Sequence, residues 1–249
     1  MELIFLGTGT STGIPQIGCS CRVCKSLNPK DKRLRSSVLV KINDIHFLID
    51  IGPDFRQQIL KTGLNYLSAI LITHEHYDHI GGLDDIRPLG ETTVYGENRV
   101  LAQIKNNMPY CFSEKRYSGV PEIHLHEVTE NSKFYVQQIE ITPLRVFHAK
   151  LPIIGYRINN LAYLTDVKTI PDSTIDKLQG LDVLVINALR IEKHIAHLSL
   201  SEALVIAGKI GAKKTYFTHF SHDLGLHEDV QKSLPENFFL AYDGLKLNL

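Results

Sequence analysis

Short apolar runs separated by polar turns dominate this chain and predict a mixed α/β fold. Apolar runs of four to six residues bounded by glycine, asparagine or aspartate are typical of β-strands. The predicted strands cover residues 2–6, 38–42, 46–50, 69–72, 92–95, 124–128, 133–142, 144–146, 153–158, 161–164, 183–186, 215–218, 238–241 and 245–247. The predicted helices cover residues 53–60, 83–87, 97–107, 171–178 and 203–210. Because helices and strands are interspersed, the simplest packing is two sheets face to face with helices outside.

Length and composition favour one globular domain over residues 1–249. Hydrophobic residues make up 43% and charged residues 22% of the chain, and no repeat, linker or low-complexity segment interrupts it. Lys+Arg 27 balances Asp+Glu 27, which argues against tight nucleic-acid binding. The N-terminus has no basic leader and no apolar run approaches the length of a bilayer span, so we expect a cytoplasmic protein without a membrane partner.

The most informative stretch is Thr73-His74-Glu75-His76-Tyr77-Asp78-His79, between the predicted strand 69–72 and Gly81-Gly82. In an extended segment, residues two apart point to the same side, so His74 and His76 can offer imidazoles to one metal ion. Asp78 and His79, beyond the bend, are placed to serve a second ion. Imidazole and carboxylate together suit a divalent hydrolytic site. A zincin motif is excluded, because it needs a histidine four residues after the first, where Asp78 stands.

Other strand ends carry further candidates for this site. His148 and His219 each follow an apolar strand, and Asp166 ends the strand 161–164, where an aspartate either bridges two ions or caps a turn. His197 lies just before the capping box Ser199-Leu200-Ser201-Glu202, and the helix dipole disfavours its charged form. A neutral imidazole there can polarise or protonate a substrate oxygen. Asp50 either orients a ligand histidine or caps its strand.

Three cysteines, Cys19, Cys21 and Cys24, lie in an aperiodic stretch over residues 14–29. In a reducing compartment such a group more often holds a metal than forms disulfides, and four protein ligands make a structural zinc site. A redox-active or disordered loop is the alternative. His222 is the candidate fourth ligand, ahead of His227. The pattern over residues 7–13 predicts a tight glycine-rich loop. A nucleotide-binding loop is less favoured, because the lysine of the Walker motif is missing.

The histidine motif resembles the His-x-His-x-Asp-His signature of the metallo-β-lactamase fold. Three further stretches are similar to one branch of that superfamily: Gly7-Thr8-Gly9-Thr10-Ser11, Cys19-x-Cys21-x-x-Cys24 and Arg33-Leu34-Arg35-Ser36-Ser37. The branch holds the phosphoribosyl 1,2-cyclic phosphate phosphodiesterases of the carbon–phosphorus lyase pathway and, more distantly, the long-form tRNA 3′-processing endonucleases. The resemblance covers nearly the whole chain. It implies an αββα sandwich of two facing mixed sheets with outer helices.

The resemblance also implies a set of metal ligands and catalytic residues. His74, His76 and His148 would hold one divalent ion, Asp78, His79 and His219 a second, and Asp166 would bridge the two. The ions would be zinc or manganese. Cys19, Cys21, Cys24 and His222 would hold one structural zinc, since His222 follows His219 by three residues as in that family. Asp78 and His197 are the catalytic candidates.

The implied function is that of a dinuclear phosphodiesterase. Its substrates would be small phosphate diesters, ribose cyclic phosphates or cyclic nucleotides above all, attacked by a hydroxide between the two ions. The resemblance also implies a homodimer. A tRNA 3′-processing endoribonuclease is a weaker alternative, because no glycine-rich or basic insertion could form its tRNA-binding arm. A thioester or lactone hydrolase shares the histidine signature but normally lacks the cysteine loop.

Overall fold

A computed structural model describes residues 1–115 and 117–249, and within them fourteen strands form two seven-stranded sheets. The first sheet contains β1 (Glu2–Gly7), β2 (Ser37–Ile42), β3 (Ile45–Ile49), β4 (Ala69–Leu71), β5 (Thr92–Gly96), β6 (Ile123–Glu127) and β14 (Lys246–Asn248), in the order β14-β1-β2-β3-β4-β5-β6. The second contains β7 (Phe134–Val136), β8 (Ile139–His148), β9 (Leu151–Ile158), β10 (Leu161–Leu164), β11 (Val183–Asn187), β12 (Lys214–Thr218) and β13 (Phe238–Leu240), in the order β13-β12-β11-β10-β9-β8-β7.

Helices cover the outer faces of both sheets. They are α1 (Phe55–Leu60), α2 (Tyr77–Ile80), α3 (Asn98–Asn107), α4 (Pro109–Phe112), α5 (Asp172–Lys177), α6 (Leu200–Ile210) and α7 (His227–Ser233), with short 3₁₀ helices at Pro29–Asp31, Leu83–Leu89 and His222–Leu224. No helix in the described ranges is both long and apolar enough to cross a bilayer. The layers therefore follow the expected αββα order, and the predicted fold class is confirmed.

In the sequence, the strands are continuous apolar runs, because both of their faces are buried. In β1, Leu3 and Phe5 join the core between the sheets, whereas Ile4 and Leu6 join the core under α1 and α3. In β11, Val183 and Val185 face the first sheet, and the alternate leucine and isoleucine pack under α5 and α6. Successive side chains of a strand point to opposite faces, so one strand supplies two core layers.

The chain directions place one set of strand ends at a single edge of the sandwich. Strands β3 to β6 run parallel to one another, and so do β10 to β13, so their carboxyl ends meet at that edge. The two sheets are joined there by hydrogen bonds. The hydroxyl of Tyr156 on β9 donates to the carbonyl of Ile72 (2.6 Å), and the amide of Ile154 donates to the carbonyl of Thr73 (3.1 Å).

Element boundaries differ from the sequence prediction in several places. The strand predicted over 133–142 is a hairpin, because Gln137 has a left-handed φ of 53° and ends β7. Strand β8 then continues through Pro143, which lies beyond the register of β7, where no backbone donor is needed. The expected loop over 108–120 contains α4, and α7 was not predicted. Both helices are one or two turns long, too short for a clear periodic pattern.

We predict that Gly52→Ala destabilises the fold at this edge. A Cβ at Gly52 would lie 2.2 Å from the carbonyl oxygen of Asp78, so the backbone must shift. We expect the free energy of unfolding to fall by about 1–3 kcal/mol in urea titrations. Gly208→Ala is the matched control, because nothing lies within 4 Å of its Cβ position in α6 and alanine favours a helix. Equal unfolding midpoints for the two variants would contradict the prediction.

Candidate metal centre

The predicted ligands lie together where the strands end at the shared edge of the two sheets. Within the described ranges, three overlapping sets of donor atoms there lie within 4.8 Å of one another: His74, His79 and Asp166; Asp78, His79 and His219; and His148, Asp166 and His197. His79 and Asp166 each belong to two of the sets. The exposed His76 completes the cluster, with its Nδ1 2.9 Å from Nε2 of His74.

Three residues within two positions of a strand end have left-handed backbone conformations. Asp50 after β3 has a φ of 64°, and His219 after β12 has a φ of 59°. Asp166, two residues after β10, has a φ of 58°. Non-glycine residues rarely adopt the left-handed region of φ/ψ space. The conformational strain is tolerated where contacts with the surrounding structure impose it. The conformation turns the chain at the strand end and leaves each side chain directed into the space between the sheets.

The carboxylate of Asp50 is fully buried and organises the histidine motif. Its Oδ2 accepts a hydrogen bond from Nδ1 of His79 at 2.7 Å. Its Oδ1 accepts from the amide of Thr73 at 2.8 Å, and the Thr73 hydroxyl lies within 3.0 Å of both oxygens. Burial raises the pKa of Asp50, and the neighbouring His79 opposes that rise. Of the two roles that the sequence left open, Asp50 therefore has the orienting one.

Hydrogen bonds on the outer side of three imidazoles direct their other nitrogens into the centre. Nδ1 of His79 donates to Asp50, so its Nε2 faces Asp78 (3.2 Å) and Asp166 (3.3 Å). Nδ1 of His74 lies 3.0 Å from the Thr73 hydroxyl, which is already committed as a donor to Asp50. Nδ1 of His148 lies 2.9 Å from the carbonyl of Ala196. Such partners fix the orientation of each ring and direct Nε2 into the centre.

The electrostatics of the cluster keep the two carboxylates and His74 in the form that binds cations. Burial lowers the pKa of His79, but Asp50, Asp78 and Asp166 outweigh it and hold that pKa well above the usual value. Burial raises the pKa of Asp78 and Asp166, but the charge of His79, and for Asp166 first that of His219, outweighs it and holds both pKa values below the usual range. Burial, reinforced by His79, holds the pKa of His74 well below its usual value. The carboxylates are therefore ionised and His74 is neutral at neutral pH.

Several buried nitrogens in the cluster have no hydrogen-bond partner among the described residues. They are Nδ1 of His197 and Nδ1 of His219, whereas Nε2 of His79 and Nε2 of His219 face carboxylate oxygens at 3.1 to 3.3 Å without hydrogen-bond geometry. A buried polar atom without a partner costs about 1–3 kcal/mol, so such atoms are rare unless something else binds them. A divalent ion accepts lone pairs from imidazole and carboxylate alike. The residues present therefore fit divalent metal binding at this centre.

His197, the residue before Leu198 and the capping box, lies at the border of this cluster. Its ring centroid is 4.5 Å from that of His148 and 5.1 Å from that of His219, and its Nδ1 is 3.7 Å from Asp166. Burial, reinforced by the neighbouring imidazoles, lowers its pKa to about 3. The amide of Leu198 donates to the carbonyl of Val167 (2.9 Å), which holds the segment in place.

The cysteine loop forms a second cluster with His222. Nδ1 of His222 lies 3.3 Å from Sγ of Cys19 and 3.3 Å from Sγ of Cys21, and the Sγ of Cys24 completes a set of four within 4.8 Å. A hydrogen bond from the amide of Cys24, with another from His222, lowers the pKa of Cys21 to about 6, whereas burial raises the pKa of Cys24 to about 11. Three sulfurs and one imidazole suit a closed tetrahedral zinc site.

His227, the weaker candidate for this cluster, lies elsewhere. It is 4% exposed, and its Nδ1 lies 3.0 Å from Nη2 of the buried Arg33, whose guanidinium can only donate. Burial and the Arg33 charge lower the pKa of His227 to about 4. His222, and not His227, is therefore the imidazole that reaches the cysteines.

Two residues that support the centre were missed in the sequence. Thr73 connects Asp50 to His74, and Asn187 at the end of β11 binds both the amide and the carbonyl of Val167, next to Asp166. Each is a polar residue directly after a buried apolar run. That signal is visible in the sequence, but it does not indicate which backbone segment the side chain will bind.

Comparison with known proteins identifies the family of this chain. A family model described as a beta-lactamase superfamily domain matches residues 46–220. The chain therefore belongs to the beta-lactamase superfamily, and its fold is the metallo-β-lactamase fold.

Within the superfamily, one strong match is the crystal structure of a diphosphatase from the PhnP family, with 41% identity, a TM-score of 0.93 and coverage of 100% of this chain and 97% of that one. Zn(2+)-bound PqqB from Methylobacterium extorquens has the same fold, with a TM-score of 0.84, 20% identity and full coverage of both chains. An octanoyltransferase of Porphyromonas gingivalis is 43% identical over 252 residues, which are 99% of this chain and 51% of that protein. The chain thus spans about half the length of that relative.

We predict that His222→Ala removes one equivalent of zinc from the purified protein while His227→Gln does not. Only His222 contacts Cys19 and Cys21, whereas His227 is bound to Arg33. Elemental analysis of both variants and the wild type measures the difference. Equal zinc contents in the three proteins would refute the assignment of His222 to the cysteine cluster.

We also predict that His227 makes stability depend on pH. Its pKa is about 4 in the folded protein against an ordinary value of 6.5. As the pH falls from 6.5 to 4, the unfolded chain binds a proton there that the folded protein does not, so stability is lost across this window. Urea titrations should show a steeper loss for the wild type than for His227→Gln, which shares every other titrating group. Parallel pH profiles would contradict this role.

Proposed function

We propose that this protein is a hydrolase that cleaves small phosphate diesters with the help of two divalent ions at the centre described above. The observation that carries the proposal is the position of Asp166. Its Oδ1 lies 3.1 Å from Nε2 of His219, and its Oδ2 lies 3.3 Å from Nε2 of His79. Its carboxylate also lies within 4.8 Å of donor atoms of His74 and of His148. Asp166 thus stands close to ligands of both ions assigned below, as a residue bridging a pair of ions requires.

The ligand assignment is the one that the resemblance to the metallo-β-lactamase signature implies, and it is supported by the rings of His74, His76 and His148, whose centroids lie 4.5 to 5.8 Å apart. We assign His74, His76 and His148 to one ion and Asp78, His79 and His219 to the other, with Asp166 between them. Two ions held there would place positive charge on a phosphate group and supply a nucleophile from water at neutral pH. The protein's own contribution is orientation, because Asp50 holds His79 and Thr73 holds His74 in the orientations that direct Nε2 inward.

His197 has a separate role in the proposal. Its neutral ring stands beside His148 and His219 at the border of the centre and is 9% exposed, so a bound phosphate can reach it. A hydrogen bond from this ring to a phosphate oxygen or to the leaving oxygen stabilises the charge that develops in the transition state. Asp78, with its carboxylate ionised, remains the second catalytic candidate through the ion that it helps to hold.

A diphosphate bond is a second candidate target, favoured by the 41% identical diphosphatase that matches over nearly its whole length. A phosphate diester is an ester and a diphosphate is an anhydride, but hydrolysis of either breaks a bond to phosphorus, so the same centre can act on both. The name octanoyltransferase of the other relative carries less weight, since this chain matches only 51% of that protein. A balanced charge of 27 cationic and 27 anionic residues still argues against an RNA substrate.

A substrate panel tests the proposal directly. Metal-loaded protein is incubated with a ribose cyclic phosphate, a 2′,3′-cyclic nucleotide, a generic aryl phosphodiester, a nucleoside diphosphate ester, a tRNA precursor, an acyl thioester and a lactone. We expect turnover of one or more of the small phosphate substrates, abolished by chelation and restored by zinc or manganese. Turnover of the thioester or lactone alone, or of the tRNA alone, would reject the proposal.

We predict that His197→Ala lowers kcat on the preferred phosphate substrate by about 10²-fold or more, because a hydrogen bond made in the transition state is lost. Its metal content should equal that of the wild type, since His197 is assigned to substrate and not to an ion. His46→Ala serves as the control, because this partly buried histidine lies on β3 against Tyr66, in contact with none of the centre's residues among the described interactions. Loss of metal from His197→Ala would instead make it a ligand.

A further inference from the structure

The segment over residues 190–197 closes one side of the centre and is held by its own hydrogen bonds. The Arg190 guanidinium folds back onto the carbonyls of Glu192 (3.2 Å) and Lys193 (2.9 Å). The peptide groups of Ala196 then reach two imidazoles. Its carbonyl lies 2.9 Å from Nδ1 of His148, and its amide lies 3.2 Å from Nδ1 of His194.

These contacts determine which nitrogen of His194 carries the proton. A backbone amide can only donate, so Nδ1 of His194 accepts and its proton lies on Nε2. Burial and the nearby Arg190 charge lower the pKa of His194, in keeping with a neutral ring. Among the described residues, Nε2 of His194 has no hydrogen-bond partner. The ring therefore presents a fixed N–H donor with nothing in the protein to receive it.

The position of this donor continues the row of imidazoles that leads out of the centre. The ring centroid of His194 is 5.1 Å from that of His197, which is 5.1 Å from that of His219. Exposure increases along the row, from the fully buried His219 through His197 at 9% to the partly exposed His194. His194 is therefore the most exposed of these three rings and the one through which this row meets solvent.

We infer that His194 is a substrate-binding residue whose Nε2–H donates a hydrogen bond to a phosphate oxygen at the mouth of the centre. The inference deepens the proposed function and rests on it for the class of substrate. His197 and His194 would then contact successive parts of the bound phosphate compound, the first near the reacting phosphorus and the second further out. A neutral donor in a fixed orientation suits an anionic oxygen, and hydrogen bonds to charged groups are the stronger ones.

Binding of inorganic phosphate to the metal-loaded protein tests His194 without any catalytic turnover. Calorimetric titration compares the wild type, His194→Ala, His194→Gln and the control His124→Ala, an exposed histidine on β6 beside Glu91. We expect His194→Ala to weaken phosphate binding about tenfold. His194→Gln, whose amide keeps an N–H at similar reach, should retain most of the affinity, and His124→Ala should match the wild type.

Any other result of the phosphate titration contradicts the inference. It fails if wild type and His194→Ala bind phosphate equally, if the wild type binds none, or if His194→Gln is as weak as His194→Ala. Elemental analysis separates a structural role, because loss of metal from His194→Ala would mean that the ring only supports the Ala196 peptide and hence His148. If phosphate binding depends on His194 but no member of the substrate panel is cleaved, the proposed function fails while the phosphate-binding role of His194 stands.

Discussion

The buried carboxylate of Asp50 is the group on which the arrangement of the centre depends. It lies at the end of β3 with no solvent exposure, and it binds His79 and Thr73 from the neighbouring strand's extension. An ionised carboxylate in such a place is costly unless several donors satisfy it. Here the donors are parts of the histidine motif, so the same hydrogen bonds that stabilise the charge also orient the imidazoles. The same hydrogen bonds therefore contribute both to the stability of this edge and to the orientation of the ligands.

A second constraint comes from the way the two sheets share an edge. Each sheet supplies only part of the centre, since the histidine motif follows β4 whereas Asp166 and His219 follow strands of the other sheet. The hydrogen bond from Tyr156 to the carbonyl of Ile72 joins the two sheets directly beneath the motif. The dense apolar core between the sheets is therefore what sets the distance between the two halves. The left-handed residues at the strand ends are tolerated because this packing leaves the chain no other path.

The loops around the centre are held together by the buried guanidinium of Arg33. Arg33 is 5% exposed and its Nη1 donates to the Thr8 hydroxyl and to the carbonyl of Ala241, each at 2.7 Å. Its guanidinium also lies 4.3 Å from the ring centroid of Phe220, the residue after His219. Burial lowers the pKa of Arg33 to about 10, so the group is still charged at neutral pH. The glycine-rich loop, the C-terminal segment and the residues after β12 thus meet at one side chain.

The amino-acid sequence by itself determined the strand pattern and the layer order, which depend on local periodicity. Short spacings indicated that the stretch from His74 to His79 can bind metal, and the candidate ligands further along the chain were implied by the resemblance to the metallo-β-lactamase signature. Only the tertiary structure decided which distant residues meet. The choice of His222 over His227, the orienting role of Asp50 and the position of His194 depend on contacts between segments up to about two hundred residues apart, and no local pattern encodes the packing that brings them together.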